Sequence, residues 1–217
     1  MTQFTRAWAM PSAETFTIEP VAALLARWLG CRSVIVDPFA RDSRIGTHRN
    51  DLNPATAADW HLDARDFLRR LAADGVEADA VLFDPPYSPR QIAEVYQQIG
   101  RPCSTEDTQN ARLYREVRDL ATALLRPGGV AISCGWNSSG FGVERGFTLR
   151  EVLIVAHGGA HNDTIVTVET YDAAQAALPF FNERTESPQS VNAVAGSMTG
   201  SQADPSRMSL SLCFSRG

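Results

Sequence analysis

The sequence predicts an α/β domain built on a mostly parallel, doubly wound sheet. Three features predict it. Short apolar runs of strand length alternate with segments of helical period along residues 1–170. An acidic residue stands where four successive predicted strands stop: Asp37, Asp51, Asp63 and Asp84. The last two predicted strands flank a Gly-Gly turn and read as an antiparallel hairpin.

The elements follow in order. Pro20 opens a helix whose apolar residues Val21, Leu24, Leu25, Trp28 and Leu29 fall on one face, and Gly30 ends it. Ser33–Val36 is a short buried strand stopped by Asp37-Pro38. A weaker strand spans Ile45–Asn50, and a helix is expected near Ala55–Trp60. His61-Leu62 reads as a minimal strand. Phe67, Leu68 and Leu71 mark the next helix, closed by Gly75. Ala80–Phe83 is a buried strand ending at Asp84-Pro85-Pro86. A long helix carries Leu113, Val117, Leu120 and Leu124 and ends at Pro127-Gly128-Gly129. Val130–Cys134 is the following strand, and Val152–Val155 with Thr164–Val168 form the hairpin. Beyond residue 170 the character changes. Residues 185–207 are rich in Ser, Ala, Gly, Pro and Gln and read as a flexible tail, and Met208, Leu210, Leu212 and Phe214 alternate as in a short strand. The expected division is therefore a folded domain over residues 1–170 and a partly flexible extension over 171–217.

Composition narrows the function. The chain has 217 residues, 44% hydrophobic and 21% charged, which excludes wholesale disorder and allows one well-formed core. No apolar run is long enough to span a bilayer, and the first residues lack the apolar stretch of a secretory signal. The four cysteines form no CxxC pair, so no metal site is expected and a reducing, cytoplasmic setting is. The net charge of −5 argues against nonspecific coating of nucleic acid, without excluding a local basic cleft. All 20 basic residues are arginine, which leaves every cation able to make bidentate phosphate contacts.

In a parallel sheet the ligand sits beyond the carboxyl ends of the strands, where the four acids lie. Any one of them could simply cap the next helix. Together they suggest a nucleoside-bearing cofactor, because a carboxylate at the end of the second strand suits a ribose diol. The sharpest feature is Asp84-Pro85-Pro86-Tyr87. Its bland reading is a rigid turn, since two prolines fix φ and donate no hydrogen bond.

With the other segments in order, this motif resembles that of the S-adenosylmethionine-dependent DNA amino-methyltransferases, especially the adenine-N6 enzymes and their small solitary phage or mobile-element members. The resemblance covers about residues 10–170. It implies the class I, Rossmann-like methyltransferase fold, a mostly parallel seven-stranded sheet with an antiparallel terminal hairpin. Thr15–Pro20 looks like the family's N-terminal segment, so Phe16 and Thr17 are expected against the methionine end of the cofactor. Asp37-Pro38-Phe39 looks like the first half of the first cofactor motif. There Ala40-Arg41-Asp42-Ser43 replaces the glycines that usually follow. Asp51 resembles the ribose-binding acid, and Asp63-Ala64 the segment that receives the cofactor's adenine amino group.

The resemblance implies methyl transfer to the N6 amine of an adenine flipped out of double-stranded DNA, in a bacterial or phage-infected cell, whether or not within a restriction-modification system. Asp84 and a carbonyl of Pro85-Pro86 would accept the two N–H groups, and Tyr87 would offer an aromatic face to the base. Arg41, Arg44, Arg90, Trp136 and Asn137 are the expected substrate contacts, and Ser88–Arg118 the substrate-contacting insertion. The competing readings are an RNA base methyltransferase acting on guanine N2 or adenine N6, and a cofactor-binding but inactive phage protein. His157 and His161 flank the hairpin turn and lack the further ligands of a metal site.

Overall fold

The computed structural model describes residues 1–104, 110–159 and 161–176. The expected tail at 185–207 and the alternation at Met208–Phe214 lie outside them. The chain runs β1 (Gln3–Trp8), α1 (Glu19–Leu29), β2 (Ile35–Asp37), β3 (His48–Arg49), α2 (Ala64–Ala73), β4 (Ala78–Phe83), α3 (Pro89–Gln98), α4 (Asn110–Leu124), β5 (Leu125–Gly135), β6 (Phe147–Ala156), β7 (Thr164–Tyr171) and a single turn of helix, α5 (Ala173–Ala176). The strands form one seven-stranded sheet in the order β1-β6-β7-β5-β4-β2-β3. Every neighbouring pair is parallel except the two made by β7, which is antiparallel to both β5 and β6. The expected α/β class, the mostly parallel seven-stranded sheet and the terminal hairpin are all present.

Alternation within the strands sends side chains to two cores. Ala80 and Leu82 of β4 pack on one face with Val21, Leu24 and Leu25 of α1. Val81 and Phe83 pack on the other with Phe67, Leu68 and Leu71 of α2 and Val117 and Ala121 of α4. Phe67, Leu24, Leu82 and Val117 are fully buried. The helices that flank the sheet thus hold the carboxyl ends of β2, β3 and β4 at one edge.

Two expected elements around residue 60 are absent, for a common reason. Between Ala55 and Trp60 the amides are taken by partners other than an i−4 carbonyl. Ala55 N donates to Asn53 Oδ1 (2.9 Å), Ala57 N to Asp42 Oδ1 (2.8 Å) and Trp60 N to Arg49 O (3.1 Å). No helical ladder forms there. The His61-Leu62 strand is replaced by a side-chain mimic. The buried Asn50 accepts from Leu62 N (3.0 Å) and donates to Leu62 O (3.0 Å) and Pro38 O (3.2 Å), so one amide group does what strand pairing would do. Only a single bridge, Asn50 to Trp60, remains of that ladder.

The seventh strand is instead β1, which the sequence reading missed. It is an edge strand, with Phe4 and Trp8 largely exposed on one face and Thr5 and Ala7 half-buried on the other. Its register with β6 runs from Gln3 opposite Glu151 to Trp8 opposite Ala156. Ala9 N donates to Ala156 O (3.1 Å), and the buried His157 donates from Nδ1 to Ala9 O (2.9 Å). His157 therefore works as a fastener between β1 and the hairpin, with Thr164 Oγ1 2.8 Å from its other nitrogen.

No helix links β5 to β6. The connection carries one 3₁₀ turn, Val143–Arg145, and is held by the buried Glu169 of β7. Glu169 accepts from Phe141 N (2.6 Å) and Gly142 N (3.0 Å). Gly140, at φ +54°, lies so close to that carboxylate that a Cβ would overlap it.

Candidate active site

A cavity of about 550 Å³ opens at the carboxyl ends of β2 and β4. It falls within the range of small-molecule sites. Its wall gathers Pro38 and Phe39 after β2, Asp51 after β3, Asp63 and Ala64 at the start of α2, and Asp84, Pro85, Pro86 and Tyr87 after β4. The structure therefore brings together most of the residues singled out from sequence, although they span almost fifty positions.

Asp84 is half-buried at the cavity floor. The Tyr87 hydroxyl donates to its Oδ1. Burial pushes the Asp84 carboxyl up from its ordinary range, while the hydroxyls of Tyr87 and Thr15 pull it back down. Burial beside Asp84 also raises the Tyr87 phenol, so the phenol stays a donor. Two further residues hold the motif. Gln91 Oε1 accepts from Tyr87 N (2.6 Å) and Ser88 N (3.1 Å), and Ser88 Oγ accepts from Gln91 N (3.3 Å). This capping box starts α3 immediately after the motif and fixes its exit direction. The Tyr114 hydroxyl on α4 donates to Pro86 O at 2.5 Å. One of the two proline carbonyls, that of Pro86, is thereby engaged.

The acids divide into three states. Asp51 lines the cavity and accepts from Asn53 N (2.8 Å) and Arg41 N (3.1 Å), and burial raises its carboxyl. Asp63 caps α2 by accepting from Arg65 N (2.9 Å). Burial acts to raise it, but the Arg65 guanidinium on both its oxygens outweighs that and holds it low. Asp63 also lines the cavity. Asp37 is fully buried beneath the wall. Its Oδ1 accepts from Phe39 N (3.2 Å), and its Oδ2 has no hydrogen-bond partner among the described residues.

Burial, with the nearby Asp84 adding repulsion, pushes the Asp37 carboxyl up to about 8. In the unfolded chain an aspartate ionises near pH ~3.9. Between those values the folded state holds a proton that the unfolded state has lost. Its contribution to stability is full below pH ~4 and declines as pH rises toward 8. Asp37→Asn keeps the oxygen that accepts from Phe39 and has no proton to lose. It is expected to flatten that decline, with a melting-temperature advantage on the order of 5 °C at pH 8 relative to pH 5. Melts of both proteins across this range check it, and parallel curves would refute it.

Other expected site residues lie elsewhere. Phe16 is buried in the core with α1, and the cavity is reached by its neighbour Thr15. Thr17 turns back to donate to Glu14 O (2.8 Å). Arg90 is exposed and paired with Glu94 at 2.8 Å. Arg44 is exposed and does not line the cavity. Trp136 is half-exposed with its ring edge-on to Tyr87 at 5.6 Å, and Asn137 follows it, accepting from Ser139 N (3.0 Å). The residues that sequence reasoning missed are Thr15, Asn50, Gln91 and Tyr114. Of these, Gln91 had a legible signal, the Ser-x-x-Gln spacing after the motif.

No protein-family model and no curated protein sequence matches the chain. Solved structures do. TrmN from Thermus thermophilus is 21% identical over 71% of this chain and 49% of its own, with a TM-score of 0.45. NSun6 from Pyrococcus horikoshii is 18% identical over 68% and 50%, with a TM-score of 0.47. A methyltransferase homolog protein from Pyrococcus horikoshii is 10% identical over 78% and 61%, with a TM-score of 0.38. The chain spans about half the length of the first two.

Proposed function

We propose that the protein transfers a methyl group from S-adenosylmethionine to the N6 amine of an adenine flipped out of double-stranded DNA. The observation that carries this reading is Asp84-Pro85-Pro86-Tyr87 at the end of a central strand, on the floor of a cavity that also holds Asp51 and Asp63. The donor supplies an electrophilic methyl on a sulfonium, and no metal is needed for its transfer. Asp51 and Asp63 are suited to the ribose and adenine of that donor. Pro38, Phe39 and Ala64 offer apolar walls beside them. Asp51 and Asp84 both line the cavity, and a cationic guest would offset the cost that burial puts on their charge.

At the other end the chain's residues orient the acceptor. An exocyclic amine has its lone pair delocalised into the ring. Asp84 and the Pro85 carbonyl would each accept one N–H, turning the nitrogen toward a tetrahedral shape with its lone pair aimed at the methyl carbon. The new C–N bond forms as the C–S bond breaks, with the bonding pair left on sulfur. The resulting ammonium is acidic, and its proton passes to Asp84 or water. Tyr87 and Trp136, edge to face, offer aromatic surface to the extruded base. Arg44 is suited to a backbone phosphate, whereas Arg41 and Arg90 are already paired with Glu14 and Glu94.

The test is to incubate the full chain with methyl-labelled donor and either duplex DNA or ribosomal RNA, then digest to nucleosides for mass spectrometry. N6-methyladenine from DNA is expected. Methyl on RNA alone, or on cytosine alone, would overturn the substrate. Failure to bind S-adenosylhomocysteine would overturn the methyltransferase reading as a whole.

A further inference from the structure

Residues 9–18 cross the site as a strap. β1 ends at the same sheet edge as β4, because it is parallel to β6 and β6 to β5 through the intervening β7. From there the chain passes the carboxyl ends of β6 and β5 and the amino end of β7 to reach the cavity, where Ser12, Ala13 and Thr15 form part of the wall. It then enters the core at Phe16. Arg41 also lines the cavity, where a glycine would be expected in the family that the sequence resembles. Its backbone lies at φ 49°, the only non-glycine residue with positive φ among the described residues. A side chain there costs free energy that glycine would not.

The position is over-determined. Arg41 N donates to Asp51 Oδ2 at 3.1 Å. The guanidinium reaches the strap, Nη1 donating to Ala13 O at 2.5 Å and Nη2 pairing with Glu14 Oε1 at 3.2 Å. One residue thus joins the acid suited to the ribose to the strap. Nothing in the core requires this arginine, since its side chain is 53% exposed. Strain kept at a cavity wall by a polar clamp is a feature of sites where closure matters.

We propose that Arg41 is a positioning residue that latches the strap of residues 9–18 over the cavity and so sets how fast the cofactor is released. The proposal rests on the S-adenosylmethionine reading for its ligand, but the latch itself is a property of the free protein.

Arg41→Gly removes the clamp, relieves the left-handed strain and keeps the amide that Asp51 accepts. Glu14→Gln weakens the clamp from the strap side without touching the Arg41 backbone. Two measurements decide. Hydrogen exchange on the ligand-free full chain should show faster exchange in residues 10–18 in both variants, with α2 and β4 unchanged. Stopped-flow release of S-adenosylhomocysteine should accelerate about tenfold in Arg41→Gly, the scale of one charge-assisted hydrogen bond, and less in Glu14→Gln. Combining the two substitutions should add little to Arg41→Gly alone. Unchanged exchange in residues 10–18 overturns the latch. Faster exchange with unchanged release overturns its role in holding the ligand. If the unaltered protein fails to bind S-adenosylhomocysteine, the cofactor reading falls, and the exchange data alone still decide whether the latch exists.

Discussion

Replacing Asp84 by alanine is expected to lower methyl transfer at least about a thousandfold while leaving affinity for S-adenosylhomocysteine nearly unchanged. The carboxylate's proposed partner is the acceptor amine, whereas the donor is assigned to Asp51 and Asp63. Removing it deletes one of two oxygen acceptors and leaves the Tyr87 hydroxyl without its partner. Because the residue is half-buried and follows β4 rather than forming it, the fold should survive. Single-turnover transfer to duplex DNA, run beside calorimetric titration with S-adenosylhomocysteine, separates the two effects. Equal losses in both would show that Asp84 serves the cofactor or the fold instead of the acceptor.

Tyr87→Phe is expected to reduce kcat/KM about ten- to a hundredfold, the scale of one hydrogen bond to a charged group. From the sequence alone Tyr87 reads as a stacking ring, and phenylalanine would then serve as well. The structure gives its hydroxyl a second role, donating to Asp84. That bond favours the ionised carboxylate and holds its pKa below the value burial alone would impose. Without it the Asp84 pKa rises, so the acidic limb of the pH–rate profile should move to higher pH. A profile measured from pH 5 to 9 reads this directly. Tyr87→Ala should lose more, because stacking worth about 1–3 kcal/mol per base goes as well. An unshifted limb in Tyr87→Phe would confine the side chain to stacking.

The sequence made the sheet legible where burial is strong on both faces. Ala80–Phe83 is a continuous apolar run and Val130–Cys134 is interrupted only by Ser133, and both lie within central strands. The apolar stripe of Val21, Leu24, Leu25 and Leu29 likewise fixed α1. What escaped was structure specified by polar side chains at a distance. Residues 55–62 have helical and strand propensity, yet Asn53, Asp42 and Asn50 take their backbone groups. No local pattern reports such partners. β1 escaped because an edge strand with alternating exposure has little apolar signal, and its partner β6 is remote. The candidate site followed the same rule. Asp51 and Asp84, which follow β3 and β4, were legible because topology alone brings them to one edge, and Asp63 was legible as an acid although it caps α2 instead of ending a strand. Tyr114 and Thr15 were not, since each reaches the cavity from an element whose docking the sequence does not state.

The pairing of β1 with β6 has a consequence for how the protein comes into being. Thr2 Oγ1 donates to Leu149 O across 147 positions of sequence, and the whole β1 ladder has comparable reach. Closing so long a loop carries a large entropic cost before any contact returns it. During synthesis β1 has no partner until the segment forming β6 has emerged. α1, β2, α2 and β4 can assemble much earlier from near neighbours. For most of translation the strap that follows β1 is therefore held only from Ala13 onward, by Arg41, Phe16 and α1, with its β1 end free. The cavity acquires its acids and the Arg41 clamp early and the β1 anchor of its strap last, so a chain halted before residue 147 would carry Asp51, Asp63 and Asp84 beside a strap whose leading end is unpaired.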